Sequence, residues 1–367
     1  MRYNWQHPDW PIFRYALAPL EEALFRFAEQ TGQVTGLLTR VPDHLQLEAT
    51  IDLMVAEAIK TSAIEGEYLS RPDVVSSVRN NLGLNPTPEA IRDKRAQGAG
   101  ELMADARRTF ADPLTAEKLF AWHTMLLRQE RHLHLGAWRT HEEPMQVVSG
   151  ALGKEKVHFE APPSSLVPQE MERFIRWFNE TAPGGRHEIK RAPVRSAITH
   201  LYFESIHPFE DGNGRIGRVL AEKALSQTLG RPVLLSLSRT IEADKASYYA
   251  ALQKAQQSNE ITPWLLYFVD VIVQAQRQTI ALIDFVLAKS RFFDRFRSLL
   301  NERQRKVVKK MFDAGPEGFE GGMNARKYVS IAKTSKATAT RDLQQLLAWG
   351  VLVQAGGGRS THYHLPL

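Results

Sequence analysis

HPFEDGNGRIGR, residues 207–218, gathers one histidine, two adjacent carboxylates, three glycines, an asparagine and two arginines. The segment before it, 192–206, carries Ala197, Ile198, Leu201 and Tyr202 at helical spacing, and Pro208 predicts that this helix stops there. His207 then stands at a helix end, at the mouth of a loop that Phe209 anchors to the core. Gly212 and Gly214 allow the backbone to turn tightly and approach a ligand. Asn213 is expected to cap the helix over 214–229. A glycine-rich loop feeding a helix N-terminus presents free N–H groups and partial positive charge. Arg215 and Arg218 are three apart, so they share a face of the first turn, and a guanidinium fork suits phosphate. An acidic residue in such a cradle repels the anion unless a cation intervenes, so Asp211 points to Mg²⁺ bridging carboxylate and phosphates. His207 adds a base near neutral pH. A base, a metal carboxylate, a phosphate loop and paired arginines are the parts needed to pass a phosphate-linked group to a nucleophile. A merely solvated loop does not require them to coincide.

Around this stretch the apolar spacing is helical: over 17–40, through LQLEATIDLMVAEAIKTSAIEG with Gly66 as its stop, and over about 88–109, 114–128, 166–180, 242–257 and 261–290. The exception is 145–160, where short β-rich pieces flank SGALGK, a hairpin placed to act as a flap. His132, His134 and His141, with Glu142 and Glu143, read as polar surface or flap-base packing, and His200 as a packed histidine one helix face behind His207. The last residues change grammar. A helix over about 291–314, short helices over 325–332 and 336–349, and two strands about a glycine-rich turn follow the order of a winged helix. The expected fold is mainly α. It comprises an N-terminal helical domain over 1–110, a catalytic core with a hairpin flap over 111–290, and a winged-helix-like module over 291–367.

The chain has 367 residues, 43% hydrophobic and 24% charged, which is ordinary for a globular protein. With no cysteine, disulfides and cysteine metal sites are excluded. The opening MRYNWQHPDWPIF has no apolar signal core, and the apolar run 261–275 is broken by Asp270 and shorter than the roughly 20 residues of a membrane span. A cytoplasmic protein without a membrane partner is the expectation. The net charge of +6 arises after residue 301, where eleven Lys/Arg face five Asp/Glu. Lys333, Lys336, Arg341 and Arg359 therefore make DNA a candidate partner of the C-terminal module, against a basic protein-interaction module.

At every fixed position HPFEDGNGRIGR resembles the Fic-family signature HPFx(D/E)GNGRxxR. The resemblance implies a helical enzyme that transfers AMP from ATP to a hydroxyl side chain (Ser, Thr or Tyr) of a target protein. It implies that His207 is the general base and that Asp211 holds Mg²⁺ between the α- and β-phosphates. Gly212, Asn213 and Gly214 become the anion hole, and Arg215 and Arg218 the holders of the β- and γ-phosphates. The hairpin resembles the Fic flap, which pairs with the target's backbone. SYYAALQKAQ, 247–256, resembles the adenosine-pocket segment with Tyr248 and Tyr249, departing at Gln256 where relatives often have Asn. TSAIEG, Thr61–Gly66, resembles the inhibitory motif (S/T)xxxE(G/N) of the class whose inhibitory helix, here about 47–66, precedes the core. Glu65 is then expected to pair with Arg218 and displace the γ-phosphate. YNWQHPDWPIFRY, 3–15, resembles a domain of unknown function found ahead of Fic. Relatives often form homodimers, and some use the inhibitory glutamate to position a water that removes AMP. Removal of AMP, or transfer of another nucleotide, stays open, as does a nucleotide-sensing transcription regulator.

Overall fold

A computed structural model describes residues 2–149, 156–316 and 318–366; of Ser149, Lys156 and Arg359 it describes the backbone alone. Most of the expected hairpin turn SGALGK and the side chain of Arg359 lie outside the described residues. The helices are α1 (Glu21–Leu38), α2 (Asp43–Ile64), α3 (Arg71–Asn81), α4 (Lys94–Arg108), α5 (Ala116–Leu127), α6 (Val167–Glu180), α7 (Ala192–Ile206), α8 (Asn213–Leu229), α9 (Leu237–Ala243), α10 (Lys245–Ala255), α11 (Thr262–Phe296), α12 (Glu302–Phe312), α13 (Ala325–Ala332) and α14 (Lys336–Ala348). Strands β1 (Gln146–Ser149) and β2 (Lys156–Glu160) form one antiparallel pair, and β3 (Val353–Ala355) and β4 (His362–His364) another. The chain divides into two compact units, 1–35 with 50–279, and 36–49 with 280–367.

In the larger unit α7 is the central post, for every residue of it is buried. Its apolar residues join two cores. Phe203 and Ile206 meet Trp122, Phe174, Phe209 and Leu220, while Val194 and Leu201 meet Leu225, Trp264 and Phe268. A buried helix must also satisfy its polar side chains. Arg195 donates to the carbonyls of Phe178 and Ala224 and to Gln227 Oε1, and Ser196 Oγ donates to Ala221 O at 2.8 Å. The aromatic N-terminus packs on the same post, with Asn4 Nδ2 donating to Ser205 Oγ and Trp10 edge-on to Tyr202. Trp5 Nε1 reaches the carbonyl of Glu160 in β2.

Close helix approach is set by Gly98 in α4. A Cβ there would lie 2.0 Å from the Met125 carbonyl oxygen of α5. Alanine improves helix propensity by about 1 kcal/mol, whereas overpacking against backbone costs about 1–3 kcal/mol or more. Gly98→Ala is therefore expected to lower the urea unfolding midpoint; an unchanged or higher midpoint would show that α4 and α5 separate freely.

Three boundaries differ from the sequence expectation. α3 escapes apolar-pattern reading because it is short and opens with Pro72 in its first turn, where proline is tolerated. The helix expected over 291–314 is two: α11 ends at Phe296, and Asn301 with Gln304 builds a capping box that starts α12. The apolar run 261–275 opens a 35-residue helix, long and apolar enough by composition to cross a membrane. Its Trp264, Leu265, Phe268 and Ile272 lie in a core of the larger unit.

The smaller unit has its own core of Phe292, Phe296, Val308, Met311, Tyr328, Leu343 and Leu346. Buried Asp342 accepts from Tyr328 Oη at 2.8 Å and pairs with Arg303 at 3.2 Å. That leaves Lys336, Thr340, Arg341 and Gln344 on the exposed side of α14.

Candidate active site

The loop between α7 and α8 is bent by backbone chemistry. His207 caps α7 with left-handed angles, φ 51° and ψ 60°. Such a conformation costs a non-glycine residue about 1–2 kcal/mol. Arg139 holds it there. Its buried guanidinium donates to the carbonyl of His207 at 2.8 Å, to those of Ile206 and Pro162, and to Ser164 Oγ. Burial pulls that guanidinium's pKa down to about 10, and these acceptors surround it. Phe209 is fully buried and stacks on His123, with ring centroids 4.2 Å apart. Gly212 has φ +83°, the conformation glycine supplies without penalty.

Asn213 has a different task from the expected cap. Gly212 is the N-cap, and the Asn213 side chain closes the loop, accepting from Phe209 N at 2.9 Å and donating to Phe209 O at 2.8 Å. An amide can satisfy both backbone groups of one residue, which a carboxylate or hydroxyl without both functions does less completely.

A cavity of about 660 Å³ opens over this loop. His207, Asp211, Gly212, Asn213, Gly214 and Arg218 line it, joined by Glu65, Tyr248, Tyr249 and Gln256. The β1–β2 hairpin forms one wall through Val147, Val148 and Phe159. The cavity size suits a nucleotide-sized ligand. Arg215 is not among the lining residues; its buried guanidinium sits 2.8 Å from Glu67 Oε2 and 3.1 Å from Asp211 Oδ2. Tyr248 is buried and its hydroxyl meets His200 Nε2 at 2.8 Å, while Tyr249 is partly exposed. Gln256 Nε2 donates to the Glu204 carbonyl at 3.1 Å, tying the end of α10 to α7. His132 is exposed beside Glu130, and His134 is exposed 3.5 Å from Glu210, which lines the cavity; neither histidine lines it.

Arg218 is fully buried and meets α2 twice and the residue just after it once. Nε donates to Thr61 Oγ1 at 2.8 Å, and Nη2 donates to Thr61 O at 3.1 Å and Glu65 Oε1 at 2.7 Å. Burial opposes its charge, but Glu65 foremost, together with Tyr248 and Glu204, more than offsets this, so the guanidinium holds its proton more firmly than usual. Gly214 makes room: a Cβ there would fall 2.4 Å from Glu65 Oε1. Lys245 Nζ also caps the end of α2 at the Ile64 carbonyl. Sequence reading missed Thr61's double contact, Glu67, Glu204 and Arg139. Only an arginine inside the apolar LGAWR stretch hinted at the last.

Farther along the α2–α8 contact, Glu57 accepts from Ser236 Oγ and Ser238 N at 2.7 and 2.9 Å. Enclosure, then the neighbouring Glu57 charge, pushes the Glu222 carboxyl well above its ordinary range. A raised carboxyl pKa adds stability below the ordinary value of about 4.3 and loses it as pH rises through the folded value. Glu222→Gln is thus expected to stabilise the protein at neutral and alkaline pH, with the gain vanishing towards about pH 4. Urea midpoints across pH measure it; a gain independent of pH would contradict the buried proton.

One divalent metal has a natural ligand here. Asp211 lines the cavity with its side chain half exposed, and each carboxylate oxygen keeps a lone pair beyond its bonds to Gly212 N and Arg215. No group of three or more metal-binding side chains occurs among the described residues. A single carboxylate suits Mg²⁺ that also takes phosphate oxygens and waters.

Residues 113–225 match the model of the Fic/DOC family, and residues 3–84 match a domain of unknown function, DUF4172. The protein adenylyltransferase Fic of Nematostella vectensis is 23% identical over 81% of this chain and 65% of its own length. A probable protein adenylyltransferase of Aquifex aeolicus (strain VF5) is 32% identical over 61% of this chain and 59% of its own. The chain thus spans less than two thirds of either relative. A Fic family protein from Desulfovibrio desulfuricans G20 superposes with a TM-score of 0.52 at 19% identity, over 94% of this chain and 95% of that one, which is a likeness of fold. The helical loop-and-cavity architecture and the matched residues together identify a Fic domain of the Fic/DOC family in this chain.

Proposed function

We propose that this protein is a protein adenylyltransferase that moves AMP from ATP to a Ser, Thr or Tyr hydroxyl of a target protein, and that Glu65 restrains it. The observation that carries the reading is the meeting, in one cavity, of His207, Asp211, the loop glycines and Arg218, with Glu65 already on Arg218 at 2.7 Å. The names of the Nematostella and Aquifex relatives support it. The target's hydroxyl oxygen attacks the α-phosphorus, the bond from that phosphorus to the bridging oxygen breaks, and pyrophosphate leaves. His207 takes the hydroxyl proton. The N–H groups at the start of α8 face the anionic oxygens, and Arg218 is the ligand for the terminal phosphates once Glu65 gives way. Asp211 would hold Mg²⁺, which when bound would neutralise phosphate charge. The exposed Val148 of β1 and Val157 of β2 support the hairpin as the strand partner of a target.

ATP labelled at either the α- or the γ-phosphate tests the reaction. Label on protein from the α position alone is expected; label from the γ position alone would replace this reading with phosphoryl transfer. Glu65, with its side chain 30% exposed in the same cavity as His207, also favours a second reading, in which it orients a water that removes AMP. Release of AMP from a pre-modified target, lost in Glu65→Gly, tests that.

For the C-terminal module we propose a winged helix that lays α14 on DNA, making a nucleotide-responsive regulator a further reading. The exposed Lys336, Thr340, Arg341 and Gln344 support it. Gel shifts that weaken steeply with salt and fail in Lys336→Ala, Arg341→Ala protein are expected; equal binding by that variant would overturn it.

A further inference from the structure

Two buried atoms in the cavity wall have no hydrogen bond among the described residues: His207 Nδ1 and Glu204 Oε1. Glu204 is in the last turn of α7 and His207, three residues on, caps it. Glu204 Oε2 lies 3.6 Å from His207 Nδ1, too long for a hydrogen bond but within reach of a small side-chain rotation. Catalytic contacts are often long before substrate arrives and tighten in the complex.

Two imidazole nitrogens without a hydrogen bond among the described residues stand near Glu204, His207 Nδ1 and His200 Nδ1. Glu204 is 4% exposed. His200, one turn earlier, spends Nε2 on the Tyr248 hydroxyl. Arg218 directs Nε and Nη2 to Thr61 and Glu65. The fold makes space for the carboxylate, since a Cβ on Gly217 would stand 2.4 Å from Oε1. Burial alone would raise its pKa, but His207, His200 and Arg218 around it hold it below the ordinary carboxylate range. An ionised carboxylate accepts hydrogen bonds and cannot donate them.

We propose that Glu204 is a positioning residue for His207. Its carboxylate accepts a hydrogen bond from Nδ1–H, which keeps the proton on Nδ1, so the imidazole presents an unprotonated Nε2 to the cavity. When Nε2 receives the hydroxyl proton, the same carboxylate stabilises the imidazolium, while Glu204 itself stays ionised. The proposal rests on reading His207 as the base of AMP transfer, and it adds the group that selects which ring nitrogen does the work.

The test begins with a measurement that needs no activity. Nitrogen-15 spectra of histidine-labelled wild-type protein, with the His207 signals identified by their loss in His207→Ala, report which ring nitrogen carries the proton. The expected result is Nδ1–H in wild type, and a severalfold smaller Nδ1–H population in Glu204→Met, partly restored in Glu204→Asp. An Nε2–H ring in wild type overturns the proposal even if Glu204→Met does not fold. So does an unchanged tautomer in folded Glu204→Met. In a Glu65→Gly background, Glu204→Met should also lower kcat roughly 10- to 100-fold, part of what a positioned base supplies, with KM for ATP nearly constant. A raised KM with constant kcat would make Glu204 merely structural. If no variant transfers AMP while Nδ1–H is found, the adenylyltransferase reading fails and the Glu204–His207 pairing stands.

Discussion

Glu65→Gly protein, given Mg²⁺ and α-labelled ATP, is expected to transfer roughly 10- to 100-fold more AMP than wild type. The size follows from the contact removed. A hydrogen bond between charged groups contributes about 1.5–3 kcal/mol, and each 1.36 kcal/mol is about a factor of ten in rate. On the proposed reading, Glu65 Oε1 occupies the Arg218 Nη2 that a terminal phosphate would take. Thr61 retains its two contacts to Arg218 in the variant, so the guanidinium stays where the phosphate needs it. The substitution also leaves a buried arginine without its carboxylate, which costs about 1–3 kcal/mol. ATP should restore that loss, so the nucleotide-induced rise in Tm is expected to be larger in Glu65→Gly than in wild type. Equal labelling by the two proteins would keep a transferase and dismiss Glu65 as its restraint. Greater labelling without the larger thermal response would mean that Glu65 acts elsewhere than on Arg218.

What the sequence disclosed of this site was the part written in consecutive residues. Between His207 and Arg218 the functional groups are backbone amides and side chains within three helical turns, so spacing alone brings them together. The left-handed Gly212 and the buried anchor Phe209 stand as expected. The long-range partners were beyond that kind of reading. Arg139 lies 68 positions from the His207 carbonyl it holds, and nothing in its own neighbourhood names that acceptor. Thr61 and Glu65 were legible only through resemblance, because a helix-end glutamate by itself has no address. Asn213 shows a subtler limit. Its residue type fits a helix cap, yet the tight turn at Gly212 takes that position and frees the amide to clamp Phe209. Local propensity proposes and loop closure decides. The division of the C-terminal helices followed the same logic, since the capping box at Asn301 outweighs continuing apolar spacing from α11.

Removing the imidazole should cost more than any other single change. His207→Ala in a Glu65→Gly background is expected to lose about 10²- to 10⁴-fold in AMP transfer, the contribution typical of a positioned base, while nucleotide binding is kept. The separation is structural: Gly212, Gly214 and Arg218 come from the loop end and α8, and Arg139 grips the carbonyl of residue 207, which alanine retains. The Phe209–His123 stack and the Asn213 clamp fix the loop from its other side. Alanine must also accept the left-handed angles of position 207, at about 1–2 kcal/mol, so a modest fall in the urea midpoint should accompany the change. His207→Asn, better suited to that conformation, separates the two effects. It should recover the stability and none of the transfer. If His207→Asn recovers transfer as well, position 207 shapes the loop and another group takes the proton. If His207→Ala abolishes ATP binding measured by calorimetry, the ring belongs to the nucleotide site and the assignment of a base to it is withdrawn.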